Sequence, residues 1–320
     1  MNWKKARLYV LPTLMGFWCA CSAAATGNGT QSSGEETGGS GGQGVGPGTG
    51  GMGSGANGSG GEDLFGDGGL TGGGGGPGDA CSEEAKLVYV IGQDNQFYSF
   101  YPPTLEVKLV GLINCPGAGF SRPFSMAVDR QGIAWILFED GRIFHVDVKT
   151  AACTPTAFVP GQLGYTTFGM GFVSNGVGSN DETLYVADYL GKGLAKIDTT
   201  SLKLSPVGPW DKLTGAAELT GTGDSRLYGF YNDIPIIVAE IDKSSGKILS
   251  QAPQPSISIG NGWAFAFWGG DFWLFTSPTG QSQIDRYRPA DGTTTTVKTG
   301  LGTNIVGAGV STCAPFEPPK

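Results

Sequence analysis

The sequence predicts an all-β fold, a five-bladed β-propeller of four-stranded blades, and three observations carry that prediction. An aromatic residue recurs inside a β-rich run at Tyr89, Trp135, Tyr185, Tyr228 and Trp273, at spacings of 46, 50, 43 and 45 residues. A second run, with small residues at alternating positions, recurs upstream: Ser125-Met126-Ala127, Gly169-Met170-Gly171, Ala217-Glu218-Leu219, Ala264-Phe265-Ala266 and Gly307-Ala308-Gly309, with first residues 44, 48, 47 and 43 apart. The two series are also out of phase at the ends of the chain. A repeat of about 40–50 residues holding several short strands is the pattern of propeller blades.

The small-residue runs read as the innermost strands. Successive side chains of a strand point to opposite faces, and blades converging on an axis need one inner face kept small. Leu219 breaks that rule in this alignment, which sets Glu218 level with Met126, Met170, Phe265 and Ala308. The aromatic runs are the second strands. Third strands follow at 97–104, 144–150, 194–201, 238–245 and 284–291. Three of these contain Asp-x-x-Thr or Asp-x-x-Ser, at Asp147/Thr150, Asp198/Ser201 and Asp242/Ser245. Such side chains bond nearby backbone and mark the turn to an outer strand. Fourth strands are expected at Val107–Ile113, Thr154–Val159, Lys203–Val207, Lys247–Ala252 and Thr294–Lys298. Blade one lacks an inner strand at its start, and the run at Ile305–Val310 lacks an aromatic strand after it. The last strand therefore completes blade one, closing the ring and removing free edges.

The segments before the propeller differ in composition. Lys4, Lys5 and Arg7 precede an apolar stretch from Leu8 to Trp18, too short to span a bilayer and suited to an export signal over residues 1–20. Cys21 after Ala20 resembles a lipobox cysteine, with Trp18 in place of the usual aliphatic residue; cleavage after Ala25 is the alternative. Residues 21–80 read as a disordered Gly-rich tether. Glycine fills 26 of the 55 positions from 26 to 80, too little apolar surface to offset the cost of ordering. Its end-to-end distance is about 40 Å, enough to hold a domain off a membrane. The propeller is assigned 81–320.

The formal charge is −8, and removing Lys4, Lys5 and Arg7 leaves −11. No basic stripe is visible, which argues against nucleic acid and leaves a lipid anchor as the only membrane contact. Four cysteines remain in the propeller. Ring closure favours Cys81–Cys313. The remaining pair is Cys115–Cys153, although the strand order directs those two toward opposite faces. The spacings and the lone His145 give no zinc site, and one histidine leaves a nucleophile–base triad hard to assemble.

The candidate site residues are mostly carboxylates. Glu218 is expected near the axis, with Asp129 the other inner-strand acid. Asp94, Asp140, Asp188 and Asp233 lie in turns between second and third strands, on the face shared with the blade-to-blade crossovers. A ring of acids suits a basic partner or Ca2+, although Asp in tight hairpins needs no ligand to explain it; no other cofactor is expected. Asn175 to Glu182 is an inserted loop. Blade five is dense in aromatics, which mostly fill the gaps between blades, and Trp268 beside Gly269-Gly270 is the one expected at the surface.

The layout resembles uncharacterised Gly-rich-linker β-propeller lipoproteins of myxobacterial type. The residues carrying the resemblance are the Gly-rich tether, 123–129 (PFSMAVD), 217–223 (AELTGTG), 263–272 (WAFAFWGGDF) and 310–315 (VSTCAP). The resemblance implies a propeller at the outer membrane or cell surface, and no activity. The resulting expectation is an exported, lipid-anchored, monomeric binding or scaffold module for an extracellular protein or glycan. The alternative is an extracellular hydrolase of a glycan or lactone. That reading needs Glu218 and Asp129 in one pocket at the roughly 5–10 Å separation of glycosidase carboxylates.

Overall fold

The computed structural model describes residues 81–318. The export signal, Cys21 and the tether over 21–80 lie outside the described residues. Twenty strands form five four-stranded antiparallel sheets. Blade one contains β1 (Val88–Gly92), β2 (Gln96–Tyr101) and β3 (Glu106–Leu112). Blade two contains β4 (Pro123–Val128), β5 (Ile133–Phe138), β6 (Ile143–Asp147) and β7 (Cys153–Pro155). Blade three is β8 (Phe168–Ser174), β9 (Glu182–Asp188), β10 (Leu194–Ile197) and β11 (Leu204–Gly208). Blade four is β12 (Ala217–Gly221), β13 (Leu227–Tyr231), β14 (Ile237–Ile241) and β15 (Ile248–Pro253). Blade five is β16 (Trp263–Trp268), β17 (Asp271–Thr276), β18 (Gln283–Arg288) and β19 (Thr293–Lys298). Finally β20 (Ile305–Val310) pairs with β1 and supplies the missing inner strand. The fold is the five-bladed propeller that the repeat predicts. The outer strand of blade two falls well short of its expected span, ending at Pro155, and β10 and β14 stop four residues before the expected Ser201 and Ser245, where the Asp198 and Asp242 turns begin.

Five hydrophobic clusters fill the five gaps between neighbouring blades. Each combines the second-strand aromatic of one blade with aliphatic and aromatic side chains of the next. Near the axis the inner strands meet backbone to backbone. A Cβ added at Gly169 would lie 2.1 Å from the Ala217 carbonyl oxygen, and one at Gly307 would lie 3.0 Å from the Met126 nitrogen. The alternating small residues therefore keep the ring tight.

The Asp-x-x-Thr/Ser pattern does its work in the turns between third and fourth strands. Asp147 Oδ1 accepts from the backbone of Lys149 and Thr150 and from Thr150 Oγ1, and Asp198 and Asp242 repeat the arrangement. In each of the five blades this turn holds one residue in the left-handed region: Leu105, Ala151, Leu202, Gly246 and Gly292. Three of the five are not glycine, so local bonding stabilises a conformation their side chains disfavour.

Both cysteine pairs are bridged, Cys81 to Cys313 and Cys115 to Cys153. The expectation that Cys115 and Cys153 face opposite ways is wrong, and blade twist is the reason. In blades one, three and five the far end of the outer strand swings against the outer turn of the next blade. Gly111 meets Ala151 and Gly208 meets Ser245, while Lys298 Nζ donates to the Leu105 carbonyl at 2.9 Å. Cys115 follows Gly111 and Cys153 follows Ala151, so twist brings the two sulfurs together.

Candidate functional site at the crossover face

Glu218 does not lie where the alignment of small residues puts it. In four blades the second-strand aromatic pairs with a small residue: Tyr89 with Gly309, Trp135 with Ala127, Tyr185 with Gly171, and Trp273 with Ala266. In blade four Tyr228 pairs with Thr220, and Glu218 pairs with Phe230. Glu218 therefore occupies the register of Ser125, Gly169, Ala264 and Gly307, one residue from the expected position. Leu219 falls in the large-residue register with Met126 and Met170, and the exception it seemed to make disappears.

The long side chain at a small-residue position crosses the axis. Ser125 Oγ of blade two donates to Glu218 Oε2 of blade four at 2.7 Å. Glu218 is 3% exposed. Its burial holds the carboxyl well above the ordinary carboxylate range, and the Ser125 bond offsets only part of that. One residue further along the inner strands, toward the crossover face, stands an aromatic mouth. Phe124 precedes Ser125 in β4 and Trp263 precedes Ala264 in β16. Tyr189, from the turn after β9, touches both, with ring centroids 5.4 Å from Phe124 and 6.1 Å from Trp263. Trp263 Nε1 donates to the Phe230 carbonyl at 3.1 Å, fixing its ring.

The mouth is on the crossover face, where turns between second and third strands also gather. Tyr189 is 41% exposed, and Phe120, Leu163, Leu190 and Ile234 stand largely or wholly in solvent on loops of this same face. A cleft of about 670 Å³ opens on this face over blade one, lined by Asp94, Asn95, Phe120, Arg122, Gln281 and Asn304 among others. Exposed apolar and aromatic groups concentrated on one face mark interaction surfaces. The sequence held a signal for the mouth, an aromatic immediately before the first small residue at Phe124 and Trp263. Tyr189 had none, because only folding carries it across the axis.

The acidic turn residues reach this face but do not form a common site. Asp94 is exposed and accepts from the backbone and side chain of Gln96. Asp140 is pushed up by burial, but its bonds with Arg142 outweigh that and hold it below its usual value. Asp188 is fully buried, and its Oδ2 accepts from the N–H groups of Leu190 and Lys192 at 3.1 Å each. Asp233 accepts from Gly215 N–H at 3.4 Å. Asp94, Asp140 and Asp188 each serve their own turn, and Asp233 ties its turn to the crossover before β12. Among the described residues no group of three or more His, Cys, Asp or Glu side chains is placed to hold a metal ion.

Asp129 lies at the opposite end of β4 from Ser125. Its carboxylate accepts from Gln131 and Ile133 N–H and from Trp135 Nε1, closing the first hairpin of blade two. Asp129 stands four positions along the chain from Ser125, about 13 Å of extended strand, a spacing that speaks against the shared Glu218–Asp129 pocket the hydrolase reading needs. Trp268 is 5% exposed rather than at the surface: it packs edge-on to Tyr101, and its Nε1 donates to the Lys86 carbonyl at 2.7 Å. The Gly269-Gly270 turn leaves the ring covered by blade one. His145 lies against Trp135 with ring centroids 4.1 Å apart and planes tilted by 57°, and burial lowers its pKa while the Asp129 charge partly restores it.

The opposite face carries a latch that the sequence did not reveal. Glu182 accepts from Arg130 N–H and from Thr312 Oγ1, both at 2.8 Å. The Arg130 guanidinium donates to Asn180, Thr312 and the Cys81 sulfur. The inserted loop, blade two and both chain ends of the ring meet there. Burial, resisted by those bonds, pushes Glu182 up to about 7.

No protein-family model matches the chain, and no curated protein does. Solved structures do resemble it. Over 70% of this chain and 97% of the other, it is similar to a chain of the nidogen–laminin complex, at 10% identity and a TM-score of 0.46. It is similar to a structural-genomics protein of unknown function from Bacteroides thetaiotaomicron over 72% of this chain and 62% of that one, at 14% identity and a TM-score of 0.45. TolB from Acinetobacter baumannii is matched over 71% of this chain and 54% of its own, at 9% identity and a TM-score of 0.43. The chain thus spans less than two thirds of the latter two.

Proposed function

We propose that this chain is an exported, envelope-tethered binding or scaffold module that engages an extracellular protein through its crossover face. The observation that carries the reading is the mouth formed by Phe124, Tyr189 and Trp263, on the face that also carries exposed Phe120, Leu163, Leu190 and Ile234. Aromatic anchors inside an apolar patch are the usual centre of a protein interface. Two disulfides in the ring support an oxidising compartment, and the export signal with Cys21 supports lipid anchoring at the envelope. The Gly-rich tether and the resemblance to propeller lipoproteins point the same way.

Two variants test the face. Leu190→Asp with Ile234→Asp places charge in the patch, while Val177→Asp changes an exposed residue of the opposite face. The first is expected to abolish recovery of a reproducible envelope partner with the full chain, and the second to leave it intact. Equal recovery with both overturns the assignment. A glycan array read with the same proteins discriminates further: saturable sugar binding, unaffected by the Leu190/Ile234 pair, would replace the protein partner with a glycan. The anchor has its own measurement. Cys21→Ala is expected to move the chain from the membrane to the soluble exported fraction, and retention in the membrane contradicts attachment through Cys21.

A further inference from the structure

The arrangement at the crossover mouth has a specific chemistry. Three aromatic rings meet over the axis, and one strand residue below them lies a carboxyl with a single protein donor among the described residues, Ser125 Oγ. A carboxylate out of water is stabilised chiefly by a cation that reaches it. Aromatic faces attract cations as well, more strongly when both are desolvated. Aromatic rings above a buried carboxyl are thus complementary to a thin apolar stem ending in a positive charge.

We propose that the crossover mouth takes the alkylammonium group of a lysine side chain from the partner protein, with its methylene stem between Tyr189 and Trp263 and its Nζ at the Glu218 carboxyl. This rests on the reading of the crossover face as the binding face. Lysine fits better than arginine: the ammonium is a compact point charge on a flexible stem, whereas the guanidinium is a planar fork needing several acceptors. Tyr189 is the ring that moves aside. It alone touches both other rings, it is the most exposed of the three, and its turn contains Gly191 and Gly193 at positive φ. Exposed Leu190 and Ile234 on the same face favour a lysine presented by a protein over a free amine.

The full chain, isotope-labelled, is titrated with N-acetyl-lysine N-methylamide and with its uncharged counterpart, N-acetyl-norleucine N-methylamide. The indole N–H resonance of Trp263, assigned through Trp263→Phe, is the reporter. The lysine probe is expected to shift it saturably and at least tenfold more tightly than the norleucine probe. Glu218→Gln, which keeps an acceptor for Ser125, is expected to remove that tenfold difference while leaving the indole resonance in place. No saturable shift with the lysine probe, or an undiminished preference in Glu218→Gln, overturns the proposal. Cadaverine binding tenfold more tightly than the lysine probe would also overturn it, in favour of a free amine. If the Leu190/Ile234 variant still loses its partner while the lysine probe fails, the cation inference falls alone; if both fail, the face assignment falls with it.

Discussion

At the residue scale, Glu218 departs most sharply from the repeat. Four blades place Ser, Gly, Ala and Gly at its position, and only blade four sends a carboxyl across the axis. Burial raises its folded pKa above the unfolded value, so it favours folding at pH below the unfolded value, and that contribution is lost as pH rises through the folded pKa. Glu182 behaves likewise, with its window between the ordinary glutamate value of 4.5 and about 7. The wild-type melting temperature is therefore expected to fall between pH 5 and pH 8. Glu182→Gln should recover stability at pH 8 relative to pH 4.5, less the one latch bond that its amide NH2 cannot accept. Glu218→Gln should stabilise in the same direction. Thermal melts across that range check both, and a profile that rises with pH contradicts the burial of the two carboxyls. The sequence identified Glu218 as unusual, yet it misplaced the residue by one position, because Ala217 and Leu219 imitate the small-residue run. Strand pairing, not local composition, sets register.

At the element scale, the inner strands and outer turns carry the architecture. Gly169 in β8 has no room for a Cβ, because the Ala217 carbonyl of the next blade fills that space. Gly169→Ala is expected to cost about 3 kcal/mol in urea denaturation, since backbone has to shift to admit the methyl. A cost below 1 kcal/mol would show that the inner strands do not approach so closely. Gly176→Ala, where a Cβ meets nothing within 4 Å, is the matched control. The strands were legible from the sequence because period-two alternation and the aromatic marker recur in each blade. The disulfide Cys115–Cys153 was less so. Its geometry depends on blade twist, which carries Cys115 past the end of β3 onto blade two and leaves no trace in residue spacing. Trp268 was misread for a related reason: its neighbouring glycines suggest an exposed turn, while the covering surface belongs to blade one.

At the scale of the whole molecule, the ring is closed by β20 on β1 and by Cys81–Cys313, with the Arg130–Glu182–Thr312 network beside the disulfide. The bridge spans 232 residues, against 38 for Cys115–Cys153. Chain entropy then assigns about 5 kcal/mol to the first and about 4 kcal/mol to the second. Removing Cys81–Cys313 by paired serine substitution is expected to lower the urea midpoint more than removing Cys115–Cys153, and the reverse order would contradict Cys81–Cys313 as the main closure of the ring. The closed ring leaves its two faces unlike each other. One is held shut by the latch and the disulfide; the other presents the aromatic mouth and the apolar loop tips. Fold and closure could be read from the repeat, but the binding face could not, because Phe124, Tyr189 and Trp263 are scattered over 140 residues and meet only when three blades converge. Position-specific photo-crosslinking tests that face most directly. With the full chain in its own envelope, a crosslinker at Ile234 or Leu190 is expected to give a discrete adduct and one at Val177 none; adducts from Val177 alone, or equally from both faces, would contradict the crossover face as the binding surface.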